Sequence, residues 1–94
     1  MGELIHFDHI RRSMRLFKIL VEQYGLEHFV EEGPNGHPLV DFFALEESVL
    51  FAADWMKLRT GTPPSTSTKN VMRRSFYRVL LEKVGQEGLQ SQSQ

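Results

Sequence analysis

Lys69, Arg73, Arg74 and Arg78 stand just behind a run of four hydroxyl residues, Ser65, Thr66, Ser67 and Thr68. Arginine presents a planar fork of donors that matches phosphate and guanine edges, and lysine adds a compact point charge. Hydroxyls and unpaired amides at a helix start suit phosphate oxygens. Tyr77, between the arginines, has a ring able to lie along a sugar–phosphate backbone. The pattern predicts a helix that presents positive charge to duplex DNA. Its candidate contacts are Ser67, Thr68, Lys69, Asn70, Arg73, Arg74, Tyr77 and Arg78, with Arg59 of the preceding helix as a further one. Arg11, Arg12 and Lys18 near the chain start are candidates for additional phosphate contacts.

Other chemistries are poorly supplied. His6 and His9 are three apart, and His28 and His37 flank a turn, but the chain has no cysteine. A metal site needs three or four converging ligands, and this set does not predict one. Glu46, Glu47 and Asp54 fall on one expected helix, where acidic residues are ordinarily a solvated face. The sequence contains no glycine-rich phosphate loop, nucleophile elbow or Ser/His/Asp arrangement. The expectation is a binding domain without catalytic residues, cofactor or small-molecule substrate. The opening MGELIHFDHIRR lacks a signal-peptide core, and no apolar run approaches the roughly 18 residues of a membrane span. An intracellular location is expected, nuclear if the host cell is eukaryotic, with no membrane partner.

Net charge over the 94 residues is only -1, yet it is unevenly placed. Residues 26–54 carry seven Asp and Glu and no Lys or Arg, whereas residues 55–84 carry seven Lys and Arg against one Glu. Such polarity bears on partners rather than fold. Besides DNA it allows a protein-interaction or oligomerisation module, in which acidic 26–54 and basic 55–84 surfaces pair between chains, either of this protein or of another regulatory protein. Phe7, Phe43, Phe51 and Tyr77 are the aromatic anchors such a module would expose. A third outcome is that the two halves neutralise each other inside the domain.

The elements that must position these residues follow from periodicity. A single small domain over residues 8–85 is expected, after a flexible stretch at 1–7 and before a polar, low-complexity tail at 86–94. Ile10, Met14, Phe17, Val21 and Tyr24 recur at helical spacing, with Asp8 as a possible N-cap and Gly25 as a stop. Gly33-Pro34-Asn35-Gly36 marks a turn, so residues 28–40 form either a short edge hairpin or an ordered loop. A second helix starts between Asp41 and Leu45 and ends at Gly61. Phe42, Leu45, Val49, Ala52 or Ala53, and Met56 form its stripe. Phe43, Leu50, Phe51 and Trp55 widen that stripe, which predicts burial on more than one side. Pro63-Pro64 blocks continuation. A third helix, 69–84, has Met72, Phe76, Val79 or Leu80, and Val84 inside and Gly85 as its stop. The fold class is therefore mainly α: a small three-helix domain of helix-turn-helix or winged-helix type, with the hairpin left open.

Three pieces of the chain resemble the ARID family, the AT-rich interaction DNA-binding domains. Pro34, Gly36 and Leu39-Val40-Asp41-Phe42-Phe43-Ala44-Leu45 with Val49 are similar to that family's P-x-x-G…L-D-L-F-x-L…V stretch. Trp55 sits where a tryptophan opens the family's next helix. Met72-Arg73, Phe76 and Leu80-Leu81 are similar to its final-helix pattern, and Ser67-Thr68 fall at its Ser/Thr-rich start. The interval from Val49 to Trp55 is shorter than in the family, so two helices would merge into one. The resemblance implies a helical DNA-binding domain with Thr68, Lys69 and Arg73 as contacts. The order helix, hairpin, helix, basic helix also resembles winged-helix domains of the ETS and heat-shock-factor kind.

Overall fold

The computed structural model describes the backbone of residues 2–87 and the side chains of residues 8–86. In chain order it forms α1 (Gly2–Tyr24), β1 (Val30–Glu32), β2 (Pro38–Val40), α2 (Phe42–Thr60) and α3 (Thr66–Glu87). Short 3-10 turns occupy Leu26–His28 and Pro34–Gly36. The fold is mainly helical, as the sequence predicts, and includes one two-stranded antiparallel hairpin.

The hairpin, and not the loop, is the form residues 28–40 take. Val30 faces Val40, Glu31 faces Leu39 and Glu32 faces Pro38. Buried Phe29 and Val30 anchor its inner end, and the Asp41 amide donates to the Phe29 carbonyl at 2.7 Å. At the tip, Asn35 and Gly36 both take positive φ, 60° and 78°. Asparagine is among the few side chains that tolerate this region, so the Asn-Gly pair sets the turn.

α2 is closed at both ends by the residues expected. The Asp41 carboxylate accepts from the amides of Phe43 and Ala44 at 3.0 and 3.2 Å, satisfying two otherwise orphan donors. Gly61 ends the helix in the left-handed conformation, φ 81°, and its amide donates to the Lys57 carbonyl. The other two helices depart from expectation. α1 begins at Gly2, so Asp8 lies inside it and pairs with Arg12 at 3.6 Å instead of capping the helix. α3 starts at Thr66 and runs through Gly85 to Glu87, because a glycine inside a well-packed helix costs only about 1 kcal/mol and need not end it. The polar tail expected over 86–94 lies, from residue 88 on, outside the described residues.

The core sits where α1, α2 and α3 meet over Phe29 and Val30. Phe17 of α1 stacks on Phe76 of α3, with centroids 4.3 Å apart and planes 2° from parallel. Phe29 meets Phe17 edge-on at 5.4 Å. Leu45, Val49, Ala52 and Met56 of α2, and Met72, Val79 and Leu80 of α3, close around this trio. A fully buried Phe contributes about 1.5–3 kcal/mol through burial, and a ring pair adds about 1 kcal/mol. Ser13, fully buried, donates to the Ile10 carbonyl at 2.6 Å and so leaves no unmet hydroxyl.

Two burial expectations fail. Tyr24, expected in the α1 stripe, is mostly exposed and stacks on His28 of the following turn, with centroids 5.3 Å apart. The second failure concerns α2. Its buried residues, Ala44, Leu45, Ser48, Val49, Ala52, Ala53 and Met56, form one arc. Phe43, Leu50 and Phe51 stay exposed, because α1 and α3 both pack on that same arc. Among the described residues nothing covers the outer side of α2. No described helix is long and apolar enough to cross a membrane.

Candidate nucleic-acid interface

The hydroxyl run divides into two roles. Ser65 caps α3: its hydroxyl oxygen accepts from the Thr68 amide at 3.2 Å, and its carbonyl accepts from the Lys69 amide at 2.9 Å. The Ser65 hydroxyl also donates to the Thr68 hydroxyl at 3.1 Å, and Thr68 is buried against the core. Thr68 is therefore a structural residue, not an exposed contact. Thr66 and Ser67 remain exposed on the first turn, where helix geometry leaves the leading amides without intrahelical acceptors.

Neighbouring arginines have opposite fates. Arg73 reaches across to α2 and grips Glu46 with two bonds, Nε to Oε1 at 2.7 Å and Nη2 to Oε2 at 2.9 Å. Its Nη1 donates to the Asn70 side-chain oxygen at 2.6 Å. The guanidinium is thus engaged within the domain, and Asn70 keeps its amide nitrogen for a partner. The hydrogen bonds from Arg73 hold the Glu46 carboxyl below its ordinary value, against its partial burial and with Coulombic help from Arg73 and Lys69. The same bonds raise the Arg73 guanidinium further. This pair joins the acidic and basic halves internally with bidentate geometry.

Arg74 and Arg78 are different. Both are exposed, and among the described residues neither has a carboxylate within 4.0 Å. Helical spacing lines them up with Ser67, Asn70, Tyr77 and Leu81, all exposed, on the side of α3 away from Met72, Phe76 and Leu80. Lys69 is half-buried at the margin of this face, beside Glu46. Arg59 lies at the end of α2 with its guanidinium 5.4 Å from the centroid of the Trp55 ring, an exposed cation–π contact.

The sequence-predicted set thus splits. Ser67, Asn70, Arg74, Tyr77 and Arg78 come together on one face. Lys69 borders it, Arg59 stands apart on the preceding helix, Arg73 is engaged by Glu46, and Thr68 is buried. The residue that sequence reasoning missed is Phe42, which was assigned to the inner stripe. It is 63% exposed and stacks on Tyr77 with centroids 6.0 Å apart and planes 12° from parallel. The pair, with Leu45 and Leu81, floors a shallow groove of about 470 Å³ edged by Arg73, Arg74 and Arg78. Only the two adjacent aromatics Phe42 and Phe43 at the helix start, too many for one buried arc, signalled it in the sequence.

Such a face offers two free guanidiniums, a phenol, an amide and a hydroxyl at a helix start. It can hold an anionic backbone and place donors against base edges. Among the described residues no group of three or more His, Asp or Glu is placed to bind a metal ion. Comparison of the chain with protein-family models, curated proteins and solved structures yields no match.

Proposed function

We propose that this domain binds duplex DNA as part of a regulatory or chromatin protein, through the outer face of α3. The observation that carries the reading is the placement of Arg74 and Arg78. They stand without carboxylate partners on the same face as Ser67 and Asn70, next to the open first turn of a helix. Phosphate contacts from the arginines and first-turn amides would fix register, and Asn70 and Arg74 would reach base edges. The five-residue connection Gly61–Ser65 between α2 and α3 suits a helix-turn-helix layout, in which the second helix enters the major groove. The resemblance to ARID and winged-helix domains points the same way. Its carried-over contacts are revised: Lys69 is retained at the margin, while Thr68 and Arg73 act through structure.

Acidic residues 26–54 limit attraction to polyanions in general, so binding would depend on how α3 fits the groove. The test is affinity for a duplex of about 20 base pairs at low salt, measured for the wild type and for Arg74→Glu/Arg78→Glu. Binding by the wild type that falls at least about a hundredfold in the variant supports the reading, since each reversal replaces a phosphate contact with repulsion. Absence of wild-type binding, or equal binding by the variant, would sink it.

A further inference from the structure

The outer side of α2 is the least expected surface of the molecule. Phe43 is 87% and Leu58 85% exposed, and Leu50 and Phe51 are about half exposed. A helix with apolar residues all round is ordinarily buried all round, and here α1 and α3 cover one side only. Helical spacing sets Lys57 on the α3 margin of this face beside Leu50, and runs Phe43, Asp54 and Glu47 down its middle. Leu58 and Phe51 lie toward α1, where Phe51, Tyr24 and His28 line a cleft of about 380 Å³. Glu47, Asp54 and Lys57 are all exposed, and among the described residues none has an opposite charge within 4.0 Å.

The groove on α3 has the complementary character. Its floor is apolar, with Phe42, Leu45, Tyr77 and Leu81, and exposed Arg74 and Arg78 stand on its edge without a carboxylate partner among the described residues. Arg73 of the same edge is already held by Glu46, and Glu82, one turn beyond Arg78, is exposed at the rim. The two surfaces flank the Arg73–Glu46 pair and both open outward, so they can meet only between chains.

Charge selects how two copies would meet. Pairing α2 with α2 closes a seam to which each copy brings two carboxylates and one lysine, an excess of like charge. Pairing α2 with α3 sets the two unpaired carboxylates against two unpaired guanidiniums. It leaves Lys57 and Glu82, again of opposite sign, at the margins. A rise of about 1.5 Å per residue spaces Glu47 and Asp54 about 10 Å apart and Arg74 and Arg78 about 6 Å apart, a difference that arginine side chains span. His28 sits in the cleft beyond Phe51, to one side of the contact. We propose that the outer face of α2 docks into the α3 groove of a second copy of this chain, with Glu47 and Asp54 of one copy against Arg74 and Arg78 of the other. The pairing does not rest on the DNA reading; it uses the same arginines, so DNA and a second copy would exclude each other there.

The experiment is sedimentation of the full chain at low salt without DNA, for the wild type, Glu47→Arg/Asp54→Arg and Arg74→Glu/Arg78→Glu. The wild type is expected to self-associate, and each reversed variant alone at least about tenfold more weakly. An equimolar mixture of the two variants should associate again, because each reversed face then meets an opposite one. Phe43→Ser/Leu58→Ser should also weaken association with the circular-dichroism melt unchanged, because both side chains lie outside the core. A wild type that stays monomeric to about 100 µM overturns the proposal and leaves the α2 face to a foreign partner or to none. Undiminished association of Arg74→Glu/Arg78→Glu overturns it in favour of an α2-to-α2 pair. Undiminished association of Glu47→Arg/Asp54→Arg, or a mixture that stays monomeric, overturns it as well. None of these outcomes bears on DNA affinity, which is measured separately.

Discussion

α2 and α3 share one core, yet their outer faces carry opposite chemistry. α3 presents Arg74, Arg78, Tyr77, Asn70 and Ser67 to solvent; α2 presents Phe43, Leu50, Phe51 and Leu58 with Glu47 and Asp54. Between them, the Arg73–Glu46 pair neutralises the border. A cation that is already gripped is structural, and one left without an acid is available to a ligand. The difference between Arg73 and Arg74 is therefore one of partners, not of residue type or exposure of the helix as a whole. The same logic separates α2's buried arc from its outer face: the apolar residues are of one kind, and packing partners decide which serve the core.

The comparison breaks most severely if the shared core is damaged. Phe76→Ala removes the ring stacked on Phe17 and should cost about 3–5 kcal/mol, comparable to the whole stability of a domain this small. Chemical denaturation should show a population largely unfolded, with the proposed DNA binding lost as well. A variant that stays fully folded would contradict the core described.

Adjacent arginines give the next largest contrast. Arg74→Ala should weaken DNA binding about five- to tenfold and leave the denaturation midpoint unchanged, as loss of a single phosphate or base contact does. Arg73→Ala should weaken DNA binding less and lower stability, since it leaves Glu46 without its partner. Titration and melting of both variants side by side would decide; equal effects would erase the distinction.

Within the hydroxyl run, Ser65→Ala removes the cap and should lower stability by about 1 kcal/mol. Thr66→Ala/Ser67→Ala should leave stability nearly unchanged and reduce DNA affinity. If the three substitutions acted alike, the run would be a cap and loop only.

The smallest effect is the pH dependence of the Glu46–Arg73 pair. Glu46 titrates lower in the folded chain than its ordinary value of 4.5. The pair's stabilisation is therefore present above that value and lost as pH falls through the lower, folded value. Both side chains are more than a third exposed, so solvent screening keeps the contribution below about 1 kcal/mol. The difference in stability between the wild type and Glu46→Gln should accordingly shrink on acidification below pH 4.5 and stay flat above it. A difference that grew on acidification would contradict the pairing.

Much of the fold was legible in the chain because its signals are local. Asp41 and Gly61 announce the ends of α2, and Gly-Pro-Asn-Gly announces the hairpin turn. The alternation of apolar residues at three and four places found Phe17, Val49, Met72 and Phe76 in the core. Long-range pairing was not legible. Nothing local says that Arg73 meets Glu46, 27 residues away, or that Thr68 turns inward while Ser67 turns out. The α2 surface misled for a related reason: composition reports how apolar a helix is, not how many neighbours it has. Gly85 misled because a stop signal yields where the turns before it are held by packing.

If Arg74 and Arg78 make the proposed phosphate contacts, salt dependence counts them directly. The slope of log affinity against log salt should be steep for the wild type and shallower by about two in Arg74→Ala/Arg78→Ala, near 0.9 for each released phosphate. A wild-type slope near zero, or a slope the double substitution leaves unchanged, would contradict the account.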